Sequence, residues 1–593
     1  MIHLSMDRTI PAVLESTADS WGPRPAMVVR RGGEWQMITW EEYIRRVRLA
    51  ARGMISLGLE PGRGVIIIGY NRPEWFIANL AAICAGGIPA GIYTTSTPHQ
   101  CAYIATHADA MIAVVENDEQ LAKLREEPES FPSFNAIVLM DGTSDEEDVI
   151  TFEELIARSA SVPPEELDRR IAEQDPDDLA TLIYTSGTTG PPKAVMLSHN
   201  NVVWTAALAA EVLALGPDDR FLSYLPLSHI AEQIVSHHIP LACGATTWFA
   251  EGLEKLGDNL RDAQPTVFLG VPRVWEKIQA KMQEAGRAAS AVKRAIATWA
   301  KRIGLEGGYA EQQGRAKPVF WGLANKLVFR KVRERLGLDQ ARYCITSAAP
   351  ISLDTLEYFL SLGIPILEIY GMSECCGPAT VSLPDNYATG AAGVAAPGTE
   401  IAIAEDGEVL MRGPHVFLGY YKDEKATKET LDDEGWLHSG DIGTLDEHGF
   451  LRITDRKKDI LITAGGKNIA PQNIEGRLKS IPVVSQAVVI GDRRPYLSAL
   501  IALDPALLPR IAESIGSPAR TAGEAAECEI FLKYLRAQID EVDRKLARSE
   551  TIKRFAIIPE EFSVDGGELT PTMKVKRRVV HEKYAEQIAR MYS

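Results

Sequence analysis

The sequence predicts an α/β protein with a large N-terminal domain of parallel, helix-covered sheets and a smaller α+β C-terminal domain. Three observations carry this prediction. The chain has 593 residues, of which 46% are hydrophobic, so it can bury more than one core. Its first part alternates apolar runs with helical segments, which is the pattern of parallel strands joined by crossover helices. After residue 455 this alternation gives way to a compact mixed segment.

The alternation begins in residues 64–116. Strands are predicted at 64–70, 88–93 and 110–116, with helices at 73–85 and about 98–107 between them. The longest apolar stretch, residues 76–93, is interrupted by Asn79, Gly86, Gly87 and Pro89. A buried helix followed by a strand therefore fits this stretch better than a membrane span. The N-terminus also lacks the basic and then apolar pattern of a secretory signal.

The same pattern resumes later in the chain. Further strands are predicted at 179–184, 220–226, 245–249, 266–270, 342–347 and 364–367. Residues 390–454 are glycine-rich and strand-like, which indicates a small β subdomain. We therefore expect residues 1–454 to form the N-terminal domain and residues 455–593 to form the C-terminal domain.

One segment differs from the rest in charge. Residues 273–335 contain 15 Lys and Arg against 5 Asp and Glu, whereas the whole chain has a formal net charge of −17. The apolar residues of this segment recur at roughly helical spacing, so a basic helical insertion is predicted over 273–340. Two interpretations stay open. Either the basic face meets an anionic membrane or anionic substrates, or the helices pack on the core and their charges are only solvated.

The seven cysteines have no CxxC spacing, and most lie in apolar runs. This is typical of reduced, buried thiols, so we expect a cytoplasmic protein without disulfides or zinc. Under the membrane interpretation of the basic segment, the protein would attach to the inner face of the membrane. The overall acidity and the absence of a motif argue against nucleic-acid binding. The oligomeric state is left open.

A loop of glycine and hydroxyl residues follows the strand at 179–184. Residues 184–199 read YTSGTTGPPKAVMLSH. Glycines allow backbone N–H groups to turn toward an anion, hydroxyls add donors, and a lysine adds a positive charge. The spacing is not that of a Walker A loop, and the alternative is an ordinary exposed turn. The candidate phosphate-binding residues are Thr185, Ser186, Gly187, Thr188, Thr189, Gly190 and Lys193.

Three later segments supply other candidate nucleotide contacts. Small residues close the strand at 342–347 and would allow an adenine ring to lie against them, with Tyr370 as the stacking candidate. Glu374, at the end of EIYGMSE, is the candidate magnesium ligand together with Thr185. Asp441, in GWLHSGDIG, is suited to two ribose hydroxyls. The remaining members of these segments are Ser347, Ala348, Ala349, Pro350, Gly371, Met372 and Ser373.

Together with DRKKD at 455–459 and TAGGKNIAP at 463–471, these motifs occur in the order found in the AMP-forming adenylating enzymes. The chain resembles that superfamily over nearly its whole length. LPLSHIAEQ at 225–233, TAGGKNIAP and the helical insertion resemble the bacterial long-chain fatty acid–CoA ligases within it. The resemblance implies ATP and Mg²⁺ as cofactors, with CoA as a co-substrate.

The resemblance also assigns roles in the C-terminal part. Arg456 would approach the ribose or phosphate, and Lys458 would be the hinge about which the C-terminal domain rotates. That rotation would bring Gly465 and Gly466 to the pantetheine of CoA. The resemblance further places Ile453 and Lys467 among the nucleotide-binding residues, and His229 at the mouth of an acyl tunnel.

The catalytic lysine is assigned to the motif LTPTMKVKR at 569–577. By the register of the family it is Lys574, although Met573 stands where the family has glycine. Lys576 is the alternative, because an extended segment would place it on the same face. Lys574, Lys193, Thr185 and Glu374 are thus the expected catalytic residues.

The function implied is that of an acid–thiol ligase acting on long-chain fatty acids. ATP and a fatty acid would give acyl-AMP and pyrophosphate, and CoA would then give acyl-CoA and AMP. The alternatives are a fatty acyl-AMP ligase that loads a carrier protein and a synthetase for another hydrophobic acid. A non-catalytic scaffold would be expected to have lost Glu374, Asp441 or the terminal lysine. Neither GxSxG nor GxGxxG occurs, which argues against a hydrolase or a dehydrogenase.

Overall fold

The structure, a computed structural model, describes residues 8–185, 191–464, 467–563, 566–570 and 575–593. In chain order its first elements are α1 (Ile10–Trp21), β1 (Pro25–Arg31), β2 (Glu34–Thr39), α2 (Trp40–Ser56), β3 (Gly64–Ile68), α3 (Pro73–Cys84), β4 (Ile88–Ile92), α4 (Pro98–His107), β5 (Ala110–Val115), α5 (Asp118–Glu126), β6 (Ala136–Leu139), β7 (Val149–Thr151), α6 (Phe152–Arg158), α7 (Pro164–Ala172), β8 (Leu179–Thr185), β9 (Lys193–Ser198) and α8 (His199–Val212).

These first elements build most of the largest sheet. Strands β8, β4, β3, β5, β6 and β7 lie in that order and are mutually parallel, and β9 joins β8 in antiparallel orientation. All twelve residues of α3 are buried, because this helix is covered by other elements on every side. The predicted strands and helices of residues 64–116 are all present, within two residues of their predicted ends.

The middle of the chain adds strands of three smaller sheets and the basic helices. Its elements are β10 (Arg220–Ser223), α9 (Ile230–Glu232), a π-helical turn (Gln233–His238), α10 (Ile239–Cys243), β11 (Thr246–Phe249), α11 (Leu256–Ala263), β12 (Val267–Leu269), α12 (Pro272–Arg287), α13 (Ala291–Gln312), α14 (Trp321–Ala324), a π-helical turn (Asn325–Phe329), α15 (Arg330–Leu336), β13 (Tyr343–Thr346), α16 (Leu353–Leu360), β14 (Ile366–Glu368), β15 (Tyr370–Met372) and β16 (Gly377–Val381).

One of these sheets has the order β10–β11–β1–β2, so the N-terminal hairpin β1–β2 pairs with a strand more than 200 residues later in the chain. A second has the parallel order β12–β13–β14, and in a third β15 pairs with β16 in antiparallel orientation. Strand β13 ends just before Ser347 and β14 just before Tyr370, so both carboxyl ends point toward the predicted nucleotide segments.

Residues 394–456 form β17 (Val394–Ala395), β18 (Glu400–Ile403), β19 (Glu408–Arg412), β20 (Gly419–Tyr420), α17 (Glu424–Thr430), β21 (Leu437–Leu445) and β22 (Leu451–Arg456). Strands β18, β19, β21 and β22 make an antiparallel sheet. Strand β20 instead leaves this region and pairs with β9 at the edge of the largest sheet.

The last elements are β23 (Leu461–Ile462), β24 (Asn468–Ile469), α18 (Pro471–Lys479), β25 (Val484–Ile490), β26 (Leu497–Leu503), α19 (Leu508–Ser514), α20 (Ala522–Glu527), α21 (Glu529–Asp543), β27 (Ile552–Ile557), α22 (Arg577–Lys583) and α23 (Ala585–Tyr592). They surround a hydrophobic core of their own, which includes Leu478, Phe531 and Leu535. The main core of the preceding part, which includes Trp40, Trp75 and Phe76, is separate from it.

The structure confirms the predicted α/β class with a large N-terminal and a smaller C-terminal domain. All seven cysteines are free thiols. None of the helices within the described ranges combines the length and hydropathy needed to cross a membrane.

Candidate active site

The predicted phosphate-binding loop connects β8 to β9. Thr185 and Lys193 are direct partners in the antiparallel ladder, so the two ends of the loop are held side by side. Thr185 Oγ1 also donates to the carbonyl oxygen of Lys193 at 3.4 Å. The ladder thus fixes the separation of the loop ends, and Ser186, Gly187, Thr188, Thr189 and Gly190 between them lie outside the described residues.

Glu374, the candidate magnesium ligand, lies close to this loop. It belongs to a short 3₁₀ turn (Ser373–Cys375) that packs against β9. The hydroxyl of Tyr420 donates to Glu374 Oε1 at 2.7 Å. The ammonium group of Lys193 lies 4.4 Å from the centre of the Tyr420 ring, over its face. Tyr420 therefore joins the candidate phosphate-binding cation to the candidate metal-binding carboxylate.

The pairing of β20 with β9 explains this arrangement. Tyr420 is opposite Val195 in the ladder, two residues from Lys193. On the other side, the backbone N–H of Phe417 donates to the carbonyl oxygen of Glu374 at 2.9 Å. The segment around Tyr420 is thereby fixed to both the loop strand and the Glu374 turn.

The YGMSE segment needs its glycine for a steric reason. A Cβ atom on Gly371 would lie 1.7 Å from the carbonyl oxygen of Gly377, across the β15–β16 ladder. Met372 is half-buried and Ser373 is buried, as is Glu374. Cys375 and Cys376 are fully buried among apolar side chains, so they pack in the core.

Asp441, the candidate ribose ligand, is the centre of a second cluster. The hydroxyl of Tyr370 donates to Asp441 Oδ2 at 2.8 Å, and Arg456 Nε lies 3.0 Å from Asp441 Oδ1. Asp441 and Arg456 are direct partners on β21 and β22. A carboxylate offers about four lone pairs, so Asp441 keeps acceptor capacity for hydroxyl groups while holding both partners.

Burial and charge shift the pKa values of this second cluster. Burial raises the pKa of Tyr370 well above its usual value, and the Asp441 carboxylate raises it further. Burial alone would lower the pKa of Arg456, but Asp441, Tyr370 and Glu374 outweigh it and raise that pKa. Tyr370 therefore stays a protonated donor and Arg456 a cation over the physiological range of pH.

The candidate adenine segment adjoins this second cluster. Ser347 Oγ donates to the carbonyl oxygen of Ile369 at 3.1 Å, which ties the segment to the strand that leads into Tyr370. Ala348 has a φ of +71°, a conformation that is rare for residues with a side chain and is often found at functional sites. Ala348, Ala349 and Pro350 are exposed. Their small side chains leave the backbone open to a flat ring.

The linker after β22 is anchored on both sides of Lys458. On the N-terminal side, Arg456 binds Asp441, and Lys457 Nζ lies 2.9 Å from Glu408 Oε2. On the C-terminal side, Asp459 Oδ1 lies 3.6 Å from Arg577 Nε. Lys458 itself is exposed and has no ion pair or hydrogen bond with any part of the chain that the structure describes. It is therefore the least constrained residue of this linker.

The catalytic-lysine segment adjoins the start of α22. Lys574 lies outside the described residues, whereas the backbone N–H of Lys576 donates to the carbonyl oxygen of Glu568 at 2.7 Å. In Arg577, the next residue, Nη2 lies 2.7 Å from Glu475 Oε2 and Nε lies 3.6 Å from Asp459 Oδ1. Arg577 thus connects the segment that carries both lysine candidates to the linker.

The remaining candidates occupy different places. Gly465 and Gly466 lie outside the described residues, between β23 and β24, and Lys467 follows them with its N–H donating to Thr463 Oγ1 at 3.2 Å. Ile453 is on β22, opposite Gly443. The structure thus brings Lys193 and Glu374 together around Tyr420 and groups Asp441 with Tyr370 and Arg456.

His229 caps the short helix α9, with its Nδ1 accepting the N–H of Ala231 at 3.2 Å. Three residues later, Glu232 is completely buried, and its Oε1 accepts the hydroxyl of Ser223 at 2.7 Å and the N–H of Tyr224 at 3.2 Å. Burial raises the pKa of Glu232 to about 7. The LPLSHIAEQ motif is thus held to β10 by a buried carboxyl group.

Sequence reasoning did not single out Tyr420 and Arg577. Tyr420 lies in an aromatic run, FLGYY at 417–421, that follows a glycine-rich segment and could have been noted as a candidate contact. Arg577 follows Lys574 by three residues and is one of several cations in a basic run, so the sequence does not distinguish it from its neighbours. Each residue is recognised only in the folded structure, where its contact partners come together from distant parts of the sequence.

The protein itself supplies only part of the ligand set that a divalent cation needs at this site. Among the described residues, no group of three or more His, Cys, Asp or Glu side chains is placed to hold a metal. Glu374 offers one carboxylate. Mg²⁺ at phosphate-binding sites usually takes one or two carboxylates from the protein and its other ligands from phosphates and water, so one carboxylate is enough. Thr185, at the loop end, supplies a hydroxyl of the same hard character.

Comparison with known families identifies the fold and its relatives. A profile described as AMP-binding enzyme matches residues 14–421, and one described as AMP-binding enzyme C-terminal domain matches residues 458–593. The chain belongs to the AMP-binding enzyme family. The second match begins at Lys458, the residue that the linker contacts leave least constrained.

Relatives in this family resemble the chain over almost its full length. The long-chain-fatty-acid–CoA ligase ACSBG2 of Xenopus laevis is 42% identical over 98% of this chain and 84% of that protein. ACSBG2 of Homo sapiens is 38% identical over 98% of this chain and 92% of that protein, and ACSBG1 of Bos taurus is 38% identical over 99% and 85%.

Solved structures of the family share the fold at lower identity. The adenylation domain of a carboxylate reductase from Mycobacterium chelonae superposes with a TM-score of 0.79 at 20% identity, covering 99% of this chain and 91% of that one. The anthranilate–CoA ligase AuaEII, in complex with anthranoyl-AMP, gives a TM-score of 0.73 at 19% identity over 98% of both chains. These structures confirm the fold.

Proposed function

We propose that this protein is an AMP-forming long-chain fatty acid–CoA ligase. The observation that carries the proposal is the placement of Lys193, Tyr420 and Glu374 beside one phosphate-binding loop. That placement occurs in a chain whose relatives of 38–42% identity are named long-chain-fatty-acid–CoA ligases. The geometry supports a site for a triphosphate, and the relatives support the choice of acid.

In the first half-reaction, a carboxylate oxygen of the fatty acid attacks the α-phosphorus of ATP. A new P–O bond forms, the bond to the bridging oxygen breaks, and pyrophosphate leaves with its electron pair. Negative charge grows on the phosphate oxygens, so the main catalytic requirement is positioned positive charge. Lys193 and the loop amides hold the β- and γ-phosphates, and Lys574 bridges the carboxylate and the α-phosphate.

Glu374 and Thr185 are the residues that would hold Mg²⁺, which would supply positive charge to neutralise the phosphates. Asp441 accepts the ribose hydroxyls, Tyr370 lies against the adenine with residues 347–350, and Arg456 orients Asp441. Gly371, Met372, Ser373, Ile453 and Lys467 complete the nucleotide-binding set. Because Asp441 is already fixed by two donors, the ribose meets an acceptor that needs no further ordering.

In the second half-reaction, the thiolate of CoA attacks the acyl carbon, the bond to the phosphate oxygen breaks, and AMP leaves. Lys574 has to move away before the thiol can approach. Rotation of the C-terminal domain about Lys458 exchanges this lysine for Gly465 and Gly466, whose missing side chains admit the pantetheine. The anchoring of residues 456, 457 and 459 supports a hinge at the residue between them.

A long acyl chain would bind in an apolar tunnel with His229 at its mouth. Each buried methylene contributes about 0.8 kcal/mol, so eight more of them would favour a C16 over a C8 acid strongly. The adenylation domain corresponds to residues 1–454, with the helical insertion at 273–340 and the β subdomain at 390–454. The C-terminal domain corresponds to residues 455–593 and carries the hinge, so the part that rotates begins after Lys458. The protein acts in the cytoplasm, in peripheral contact with the anionic inner face of the membrane.

The test is pyrophosphate release by the purified protein with acids from C2 to C20, ATP and Mg²⁺. We expect the highest kcat/KM at long chain lengths, and formation of acyl-CoA when CoA is added. A carrier protein bearing phosphopantetheine is the competing acceptor. Thioester formation only on that carrier would contradict the CoA ligase proposal, and no AMP from any acid would contradict adenylation itself.

A further inference from the structure

Helix α13 has an apolar stripe that extends beyond the protein's own core. Val292, Ile296, Trp299 and Ile303 follow one another at spacings of four, three and four residues, so they lie on one face of the helix. Ile303 is buried in a small core with Phe329. Val292 and Ile296, at the other end of the same stripe, are 69% and 40% exposed. The stripe is thus covered in its second half only.

A second apolar group lies beside the first. Val319 and Phe320, in the turn before α14, are 95% and 57% exposed. Leu323 and Leu327, one and two turns later, are also exposed. Trp299 contacts Phe320 edge-to-face with ring centroids 6.4 Å apart, so the two groups form one surface. We call it the α13–α14 surface, defined by Val292, Ile296, Val319, Phe320, Leu323 and Leu327.

Five exposed cations lie within or next to these two apolar groups in the sequence. Lys293 and Arg294 lie within the first group in the sequence, and Lys326, Arg330 and Lys331 lie within and after the second. All five are exposed. Of them, only Arg330 has a carboxylate partner among the described residues, namely Glu334 at 2.8 Å. The other four cations therefore have no carboxylate partner among the described residues.

We propose that the α13–α14 surface docks on an anionic lipid bilayer, with its apolar side chains entering the interface and its cations at the headgroups. This assignment rests on the membrane contact proposed above and names the residues that make it. Charge selects the occupant, because a second copy of the chain would bring the same uncompensated cations face to face. An anionic leaflet instead pairs with the cations and accepts the exposed Val and Phe side chains.

The experiment is flotation of the full-length protein with vesicles of phosphatidylglycerol and phosphatidylcholine, and with vesicles of phosphatidylcholine alone. We expect binding to the anionic vesicles that weakens with salt. The double variant Val319→Asp/Phe320→Asp should weaken binding by roughly tenfold or more, because charged side chains do not enter the interface. Lys326→Gln/Lys331→Gln should weaken it by about fivefold for each lysine.

Matched controls carry the same changes elsewhere on the surface. Met37→Asp alters an apolar residue that is 69% exposed on β2, and Lys425→Gln/Lys533→Gln removes two exposed lysines. Both controls should float like the unchanged protein. All variants should keep its melting temperature and its pyrophosphate release with a soluble acid such as octanoate, since none of these residues lies in the site.

The outcomes separate the two proposals. If the unchanged protein floats with anionic vesicles and the Val319/Phe320 variant floats equally well, the surface is assigned wrongly although membrane contact holds. If the unchanged protein releases pyrophosphate but floats with no vesicle, membrane contact itself fails. Equal binding to neutral vesicles overturns the role of charge. A dimer on size exclusion that Val319→Asp/Phe320→Asp abolishes would make a second copy the occupant.

Discussion

At the scale of single residues, Tyr420 combines two interactions that the proposed chemistry needs close together. Its hydroxyl donates to Glu374, and its ring lies under the ammonium group of Lys193. Burial raises the pKa of Tyr420, and the neighbouring Glu374 carboxylate raises it further, so the hydroxyl stays protonated. It therefore orients Glu374 without removing the negative charge that a cation requires.

Removing this hydroxyl tests that role. In Tyr420→Phe, the ring remains under Lys193 while a buried carboxylate oxygen loses its donor, which costs about 1–3 kcal/mol. We expect the rate of acyl-AMP formation to fall by between about fivefold and a hundredfold. The Mg²⁺ concentration that gives the half-maximal rate should also change. The measurement is pyrophosphate release at a series of Mg²⁺ concentrations.

Tyr421→Phe is the matched control for that variant. The hydroxyl of Tyr421 donates to Asp109 at 3.1 Å, on the other side of the β20 segment. Its removal should leave the Mg²⁺ dependence unchanged. Equal effects of the two substitutions would show that the loss is one of packing and not of Glu374 orientation.

The two lysines at the end of LTPTMKVKR can be distinguished by half-reaction. Lys574→Ala should reduce acyl-AMP formation by roughly 10²–10³-fold, because one preorganised cation is lost from the transition state. Conversion of supplied acyl-AMP to acyl-CoA should stay within a fewfold of normal. Lys576→Ala serves as the control, and if it gives the pattern expected for Lys574, the register of the motif is shifted by two residues.

At the scale of elements, the residues on either side of Lys458 in the linker after β22 contact different parts of the molecule. The side chains of Arg456 and Lys457 bind the N-terminal part and that of Asp459 contacts the C-terminal part, so the proposed rotation would change backbone angles mainly at Lys458. The backbone N–H of Lys458 donates to no acceptor in the described ranges. A proline at this position therefore breaks no hydrogen bond in this conformation.

Lys458→Pro should impair the second half-reaction more than the first. Proline fixes φ near −65° and restricts the preceding residue, so the domain would be slow to reach its second orientation. We expect acyl-CoA formation from acyl-AMP to fall by at least tenfold in rapid-quench measurements. Lys458→Ala, which removes the side chain but not the rotation, is the control. An equal fall in both half-reactions would place the hinge elsewhere.

At the scale of the whole molecule, buried carboxyl groups link stability to pH. Burial raises the pKa of Glu232 from 4.5 to about 7. A carboxyl group with a raised pKa in the folded state favours folding below pH 4.5, and this contribution is lost as the pH rises through about 7. The unchanged protein should thus lose stability from Glu232 between about pH 4.5 and pH 7.

Glu232→Gln removes this titration and keeps the carbonyl oxygen that accepts from Ser223 and Tyr224. Its melting temperature, relative to the unchanged protein, should rise by a few degrees between about pH 4.5 and pH 7, because only the unchanged protein has a group at this position that ionises on unfolding in this range. Glu513→Gln, at an exposed position, should show no such trend. A constant difference at all pH values would mean that Glu232 does not ionise in this range.

The sequence predicts much of this molecule because many of its features are local. Strands β3, β4 and β5 are short, almost wholly buried runs separated by turn residues, and such runs are visible without tertiary information. The pairing of β1 with β11 and of β20 with β9 joins distant segments, which local periodicity cannot reveal. The role of Tyr420 depends on the second of these pairings, and so it emerged only from the structure.

The position of the Asp441–Arg456 pair has a consequence for the intermediate. This pair precedes the proposed hinge at Lys458, so in the proposed rotation it stays with the N-terminal part while Lys574 departs. The sugar of the adenylate can then remain bound throughout the exchange of half-reactions. A mixed anhydride that hydrolyses readily would thus never have to dissociate before its thiol acceptor arrives, and little activated acid would escape into solution.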